Sequence, residues 1–240
     1  MEELLSWVSA QTDARGILNN RYFTALAQGV MDREAFLRTQ QQFFFAVRYF
    51  SRPMAALMAR MPSSALRRSL ICNLAEEHGC VEEKPASFDP ALAHDVTFLR
   101  FLESMGMQRA EMNGVREGAV VRAFNTCLMG ACVMERTEVA FACLGVIEHA
   151  FAGISARLGK TVVTHGWVHA ADLVHYNLHE EIDGRHAAEF FECVADAWQA
   201  GGADRAAVED GVRLGLHVFD RLYVDLWETA NPPPHDLPAS

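Results

Sequence analysis

The chain has 240 residues, of which 50% are hydrophobic and 22% are charged, as is typical of a globular protein with a sizeable core. Its 21 Lys and Arg residues against 31 Asp and Glu residues give a net charge of -10, the wrong sign for a surface that neutralises phosphates, so we expect no nucleic-acid partner. The N-terminus lacks a basic segment followed by an apolar one, and three charged residues interrupt the most apolar stretch, residues 128–147. We therefore expect a cytoplasmic, single-domain protein with no membrane partner.

The placement of proline predicts helices. All 8 prolines lie outside residues 91–231, and a proline in a helix interior is costly. Apolar residues recur at helical spacing, and alternating strand patterns are absent. The sequence therefore predicts an all-α bundle of about seven to nine helices. In chain order, the expected helices span residues 3–12, 18–29, 32–60, 63–79, 90–105, 110–130, 133–158, 171–199 and 203–229.

Capping residues mark several of these boundaries. Asp32 and Ser63 are typical of helix starts. The glycines expected to end helices are Gly79, Gly106, Gly159 and the pair Gly201 and Gly202. Residues 80–89 are predicted to form an exposed loop. The Pro-rich residues 231–240 are predicted to form an extended tail outside a domain of residues 1–230.

Histidine clusters in the second half of the chain. His179, Asp183 and His186 stand at i, i+4 and i+7, so a helix would project them from one face within two turns. Two imidazoles and a carboxylate at that spacing can ligate a metal ion. The alternative is a solvent-facing helix surface beside Glu180 and Glu181. Apolar neighbours favour a partly buried space, in which a metal would supply the partner that buried ionisable groups need.

Other helices offer matching donors. Glu77 continues the inward stripe of its helix, whereas Glu76 falls off that face, and Glu148 lies on or beside an almost wholly apolar face. His94 begins an amphipathic helix and could face the same cavity; alternatively, these acids lie at stripe edges and His94 lies near solvent. Mixed N and O donors suit iron or manganese better than structural zinc, and carboxylate–histidine bundles can house two metals. The candidate ligands are Glu77, His94, Glu148, His179, Asp183 and His186.

Over roughly residues 30–200 the sequence resembles the haem-oxygenase-like diiron oxidases and oxygenases, relatives of haem oxygenase, the TenA thiaminases and the cofactorless PQQ-synthesis oxidase. The segments that carry the resemblance are residues 73–79, 93–94, 145–148 and 175–187. The family's ligands follow the order Glu, His, Glu, then His-x3-Asp-x2-His, and the interval from Glu148 to His179 fits its usual spacing. The resemblance implies a single-domain haem-oxygenase-like helical bundle.

One interval departs from the family pattern. The first Glu and the first His are close in familiar members but far apart here if Glu77 pairs with His94, with residues 80–89 as an insertion. His78 is the alternative ligand, although neighbours on a helix point about 100° apart and could not easily chelate one ion. Whether Glu76 takes part is left open.

The resemblance implies an oxidase or oxygenase with two Fe(II) ions, Mn being possible in place of Fe, and O2 as co-substrate. Glu77, His94 and His179 would hold one ion, Asp183 and His186 the other, with Glu148 bridging. Relatives act on amino acids or fatty acids in natural-product pathways by N-oxygenation, desaturation or C–C cleavage, so we expect a small carboxylate substrate. We also expect a homodimer. The alternatives are a non-redox metal-binding helical protein and a metal-free lyase or hydrolase on the TenA scaffold.

One long helix offers a way to bind such a substrate. Residues 36–61 carry aromatic residues next to Arg48 and Arg52. If the aromatic face lines the pocket, an arginine at its edge could hold a substrate carboxylate by paired, charge-assisted hydrogen bonds. The alternative is a face of core aromatics with solvated arginines.

Overall fold

The computed structural model describes residues 1–80 and 87–231, and these residues form ten α-helices, four short 3-10 helices and no strand. In chain order the α-helices are α1 (Glu2–Arg15), α2 (Arg21–Ala27), α3 (Arg33–Arg60), α4 (Ser64–Glu77), α5 (His94–Ser104), α6 (Ala119–Met134), α7 (Thr137–Thr164), α8 (Val174–Glu192), α9 (Ala195–Ala200) and α10 (Gly202–Ala230). The 3-10 helices are Ile17–Asn19, Pro90–Leu92, Arg109–Gly114 and Ala170–Asp172. The all-α prediction is confirmed. Residues 81–86 of the expected loop and residues 232–240 of the expected tail lie outside the described residues.

Most predicted boundaries follow from local capping. Asp32 accepts a hydrogen bond from the backbone N–H of Ala35, and Ser63 accepts one from Leu66, so both cap helix N-termini as predicted. The prediction that Gly159 ends a helix is wrong, because α7 continues to Thr164. Gly159 instead lies under Leu173, where a Cβ would come within 3.3 Å of that side chain.

Two predicted helices differ in extent. The segment 171–199 divides into α8 and α9, which accounts for the one α-helix beyond the expected maximum of nine. The segment 110–130 begins as a 3-10 helix, and α6 starts only at Ala119. Gly114 ends the 3-10 helix and Gly118 precedes α6, and glycine disfavours a continuous helix there because it loses much conformational freedom on folding.

Helix α7 is the central element of the bundle and packs along both α8 and α10. At Gly211 and Gly215 on α10, a Cβ would collide with the backbone of α7, so these glycines permit the two helices to approach closely. By length and composition α7 could cross a membrane, but 78% of its most apolar window is buried inside the bundle. Packing against other helices therefore accounts for its apolar character.

The core contains two groups of packed apolar side chains. Among the buried side chains, the carboxyl and imidazole groups collect where α4, α5, α7 and α8 meet. They are Glu77, His94, Glu148, His175, His179, Asp183 and His186. Because burying an ionisable group without a partner is costly, this junction is the place to seek a functional site.

Candidate metal centre

The connection between α4 and α5 brings the first two candidate ligands together. Gly79 adopts φ +88°, and a Cβ there would collide with the carbonyl oxygen of Asp89. The backbone N–H of Asp89 donates to the Gly79 carbonyl over 2.9 Å, so the chain returns directly to the end of α4 before α5 begins. As a result, Nδ1 of His94 lies 3.0 Å from Oε1 of Glu77, with both side chains buried.

The same connection separates the two histidines that the sequence left as alternatives. His78 is exposed at the C-terminal cap of α4, whereas His94 is 2% exposed and faces Glu77. The structure thus places His94, and not His78, beside the first candidate acid.

Helix α8 carries the histidine–aspartate triplet on its buried face, as the spacing predicts. His179, Asp183 and His186 are 5%, 0% and 1% exposed, so the solvent-facing alternative is wrong. Nδ1 of His179 lies 2.8 Å from Oδ1 of Asp183. If that nitrogen carries the proton and donates, the lone pair of Nε2 of His179 is free, and Nε2 has no partner.

Glu148 of α7 completes a compact group with this helix. One ligand atom from each of Glu148, Asp183 and His186 lies within 4.8 Å of the others, and we call these three residues the Glu148 cluster. Oε1 of Glu148, Oδ2 of Asp183 and Nδ1 of His186 are buried and have no hydrogen-bond partner. Unpartnered buried polar atoms are rare and costly, and a bound cation would satisfy all three, so the donor set fits a metal ion.

The two acids of this cluster are poorly suited to carry charge unaided. Burial, reinforced by the nearby Asp183 carboxyl group, raises the pKa of Glu148 well above its usual value. Burial likewise raises the pKa of Asp183 well above its usual value, although the positive charge of His94 opposes the effect. Without a cation, the neutral acids are therefore favoured.

Glu77, His94 and His179 form a second group, the Glu77 cluster. The imidazole centroids of His94 and His179 are 4.4 Å apart. Burial disfavours the charged forms of Glu77 and His94, but their mutual attraction prevails, lowering the pKa of Glu77 and raising that of His94. Nδ1 of His94 is close to Oε1 of Glu77, but the two groups are not aligned for a hydrogen bond. The Glu77 cluster thus holds a buried ion pair.

The sequence interpretation missed the position of Glu76. Its Oε2 lies 2.8 Å from Nε2 of His186, and both of its oxygens accept hydrogen bonds from Arg185. Partial burial opposes ionisation of Glu76, but these hydrogen bonds outweigh it and lower its pKa to about 2. Only its adjacency to Glu77 could have signalled this role, because both residues lie in the last turn of α4.

His175 is the second residue that the ligand set left out. It is 0% exposed, and its Nδ1 lies 3.0 Å from the hydroxyl oxygen of Thr97, which itself donates to the carbonyl of His94. The Thr97 oxygen therefore accepts from Nδ1–H, and Nε2 of His175 has no partner. Burial, together with the charges of His179 and His94, lowers the pKa of His175 well below its usual value. Its spacing of four residues from His179 was the available signal.

A small cavity of about 40 Å³ adjoins the Glu77 cluster. Its polar lining comes from Glu77, His94, Glu148 and His179. The rest of its lining is apolar and consists of Phe43, Ala46, Val47, Phe50, Phe124, Ile147, Phe151 and Phe219. Phe43 and Phe50 of α3 thus lie in the cavity wall, where the sequence predicted that aromatic residues of this helix would line a pocket.

The two arginines of that prediction lie elsewhere. Arg48 and Arg52 are exposed and line a separate pocket with Phe45, Tyr49 and Glu117. The guanidinium of Arg52 lies 5.2 Å from the ring centroid of Tyr49. The described cavity lining therefore contains no lysine or arginine that could anchor a carboxylate, and its charged imidazole, that of His94, is paired with Glu77.

Solved structures with the same architecture establish the fold. A domain from Shewanella denitrificans with a heme oxygenase-like fold matches with a TM-score of 0.71 at 14% identity, over 95% of this chain and 92% of that chain. A CADD-like protein of unknown function from Nostoc punctiforme matches with a TM-score of 0.74 at 15% identity, over 95% and 97% of the respective chains. A TenA family transcription regulator from Silicibacter has a TM-score of 0.67 at 16% identity, over 96% and 97%. The fold is therefore that of a haem-oxygenase-like helical bundle.

The family is shown by the sequence itself. Residues 37–220, more than half of the chain, match the model of a family described as iron-containing redox enzymes. The chain belongs to this family, and the buried carboxylate–histidine junction lies within the matched range. No curated protein sequence matches the chain.

Proposed function

We propose that the protein is a non-haem diiron oxidase or oxygenase that uses O2 to oxidise a small molecule. The proposal rests on Glu148, Asp183 and His186, which lie close enough to bind one metal ion. Each of them has a buried N or O atom without a hydrogen-bond partner. Membership of the iron-containing redox family supports iron as the metal and redox as the chemistry.

We assign the candidate ligands to two ions. Glu77, His94 and His179 would hold one, Asp183 and His186 the other, and Glu148 would bridge them because it lies in the Glu148 cluster and also lines the cavity beside the Glu77 cluster. Fe(II) is the proposed metal, with Mn(II) as a possible substitute. When bound, the two ions would supply the electrons that activate O2.

The chain's own residues provide a dry and ordered surrounding. The ring of Phe151 lies 5.0 Å from that of His179, and Phe98 lies 4.8 Å from His175, so aromatic rings cover the imidazoles and exclude water. Low local polarity strengthens every charge interaction in the site and suppresses side reactions with water. Glu148 and Asp183, whose pKa values burial raises in the metal-free site, would give up their protons when ions bind.

The proposed substrate is a small carboxylic acid with an apolar body, such as an amino acid or a fatty acid, oxidised in a natural-product pathway by N-oxygenation, desaturation or C–C cleavage. The apolar cavity wall supports the apolar body. A substrate carboxylate would remain outside the cavity, because the described lining has no lysine or arginine and its His94 is already paired with Glu77. Comparing O2 uptake with each acid and with its methyl ester tests this part: slower uptake with the ester supports a required carboxylate, and equal uptake contradicts it.

Anaerobic titration followed by O2 exposure tests the central proposal. We expect about two Fe(II) ions per chain and O2 consumption that a substrate accelerates. A stoichiometry near one would indicate a mononuclear site. Binding without O2 consumption would favour a metal-binding protein, and absence of binding would favour a metal-free lyase or hydrolase. The matched control is Glu180→Gln, a change at an exposed position of the same helix α8.

A further inference from the structure

A chain of three side chains connects the partly exposed edge of α8 with the Glu148 cluster. The guanidinium of Arg185 donates to both oxygens of Glu76, at 3.1 and 2.8 Å. Oε2 of Glu76 in turn lies 2.8 Å from Nε2 of His186. The side chain of His186 is 1% exposed, that of Glu76 is 13% exposed and that of Arg185 is 33% exposed. Increasing burial along the chain leads from solvent to a candidate ligand.

This arrangement determines how His186 can use its two nitrogens. A carboxylate paired with a guanidinium can only accept hydrogen bonds, so Nε2 of His186 must carry the proton that it shares with Glu76. In a neutral imidazole the other nitrogen then holds a lone pair. That nitrogen, Nδ1, is buried and has no hydrogen-bond partner, and His186 contributes one ligand atom to the Glu148 cluster.

We propose that Glu76, held by Arg185, is a positioning residue that fixes the tautomer and ring orientation of His186 so that Nδ1 can bind a metal ion. The proposal rests on the metal centre of the proposed function. Glu76 is not itself assigned as a ligand, because both of its oxygens are already engaged. Outer partners of metal-bound histidines act in this way, and their loss costs about 10- to 100-fold in metal affinity.

The first test uses the metal-free protein and does not depend on any metal. Long-range 1H–15N spectra at alkaline pH, where His186 is neutral, report which nitrogen carries the proton. We expect the Nε2–H form in the wild type and a mixture of tautomers in Glu76→Ala. Glu76→Gln keeps a carbonyl acceptor at the same distance and should largely retain the Nε2–H form.

The second test is a stepwise Co(II) titration followed by absorption. Glu76→Ala should weaken the ion at the Glu148 cluster by about 10- to 100-fold and leave the other ion unchanged, with Glu76→Gln in between. The control is Glu103→Ala, which removes an acid that pairs with Arg109 through two hydrogen bonds on an exposed surface. It should leave both ions and the tautomer unchanged.

The outcomes separate this inference from the proposed function. An unchanged tautomer and unchanged affinity in Glu76→Ala would overturn the positioning role. Equal weakening of both ions by Glu76→Ala and Glu76→Gln, together with a lower melting temperature of the metal-free protein, would assign Glu76 a structural role and also overturn it. If the wild type binds no metal while the tautomer still depends on Glu76, the metal centre fails and the hydrogen-bonded arrangement stands.

Discussion

The two halves of the candidate metal centre, the Glu77 cluster and the Glu148 cluster, differ in how their buried charges are compensated. In the Glu77 cluster, Glu77 and His94 form a buried ion pair with 3.0 Å between their nearest N and O atoms. In the Glu148 cluster, one buried N or O atom of each residue has no hydrogen-bond partner, and burial favours the neutral forms of Glu148 and Asp183. The charges of the Glu77 cluster compensate each other, whereas charged carboxylates in the Glu148 cluster would need a bound cation.

The difference predicts an order of binding. An ion that enters the Glu148 cluster displaces protons and satisfies unpartnered atoms, whereas an ion that enters the Glu77 cluster must first separate a buried pair. Separating such a pair is expensive, because each charge loses its partner in a poorly solvated place. We therefore expect the Glu148 cluster to bind the first and tighter ion.

The largest effect should come from Asp183→Asn. Asparagine keeps the size of the side chain and an oxygen that can accept from His179, but it removes the charge that an ion needs. Fe(II) affinity at the tighter site should fall by more than the roughly 10- to 100-fold that loss of an outer partner costs. Anaerobic titration measures the loss, with Glu180→Gln as the control. If the weaker ion alone disappears, the assigned order is reversed.

His94→Ala should remove the second ion and spare the first. It deletes a donor from the Glu77 cluster while leaving all three residues of the Glu148 cluster intact. His78→Ala is the matched control, because His78 is the neighbouring histidine of the sequence but is exposed. Stoichiometry should fall from about two ions to about one in His94→Ala and stay at about two in His78→Ala. The opposite pattern would transfer the ligand to His78.

Proton release should distinguish the two binding steps. Metal ligands must be deprotonated, so affinity rises with pH in both clusters. In the Glu148 cluster the pKa values of Glu148 and Asp183 are raised by burial, and that of His186 is raised by Glu76 in spite of burial. In the Glu77 cluster His94 alone has a raised pKa.

The first ion should therefore displace more protons than the second and lose affinity more steeply as the pH falls. Calorimetric titration in buffers of different ionisation enthalpy counts the protons at each step. Equal counts would mean that the two clusters have the same charge state before metal binds.

The sequence predicted the local part of this site well and the long-range part less well. The triplet on α8 depends only on helical spacing, and Glu148 follows from the apolar stripe of α7. The choice between His78 and His94 depends on the backbone contact of Gly79 with Asp89, which periodicity does not encode. Glu76 was missed for a similar reason: a stripe describes one helix, whereas Arg185 and His186 approach the end of α4 from another.

The smallest effect on metal binding, and the sharpest test of the cavity, should come from Ala46→Leu. Ala46 is 4% exposed and lines the cavity, which adjoins all of the Glu77 cluster but only Glu148 of the other cluster. Leucine extends the side chain by an isopropyl group into a space of about 40 Å³, so the cavity should close at an overpacking cost of about 1–3 kcal/mol. Substrate-accelerated O2 uptake should then be lost, while the tighter ion keeps its affinity and the affinity of the weaker ion changes slightly.

Ala55→Leu, at an exposed position of the same helix, controls for the added bulk. Retained substrate acceleration in Ala46→Leu would show that the substrate reaches the metals by another route, and weakening of the tighter ion would show that the two clusters respond to the cavity as one unit.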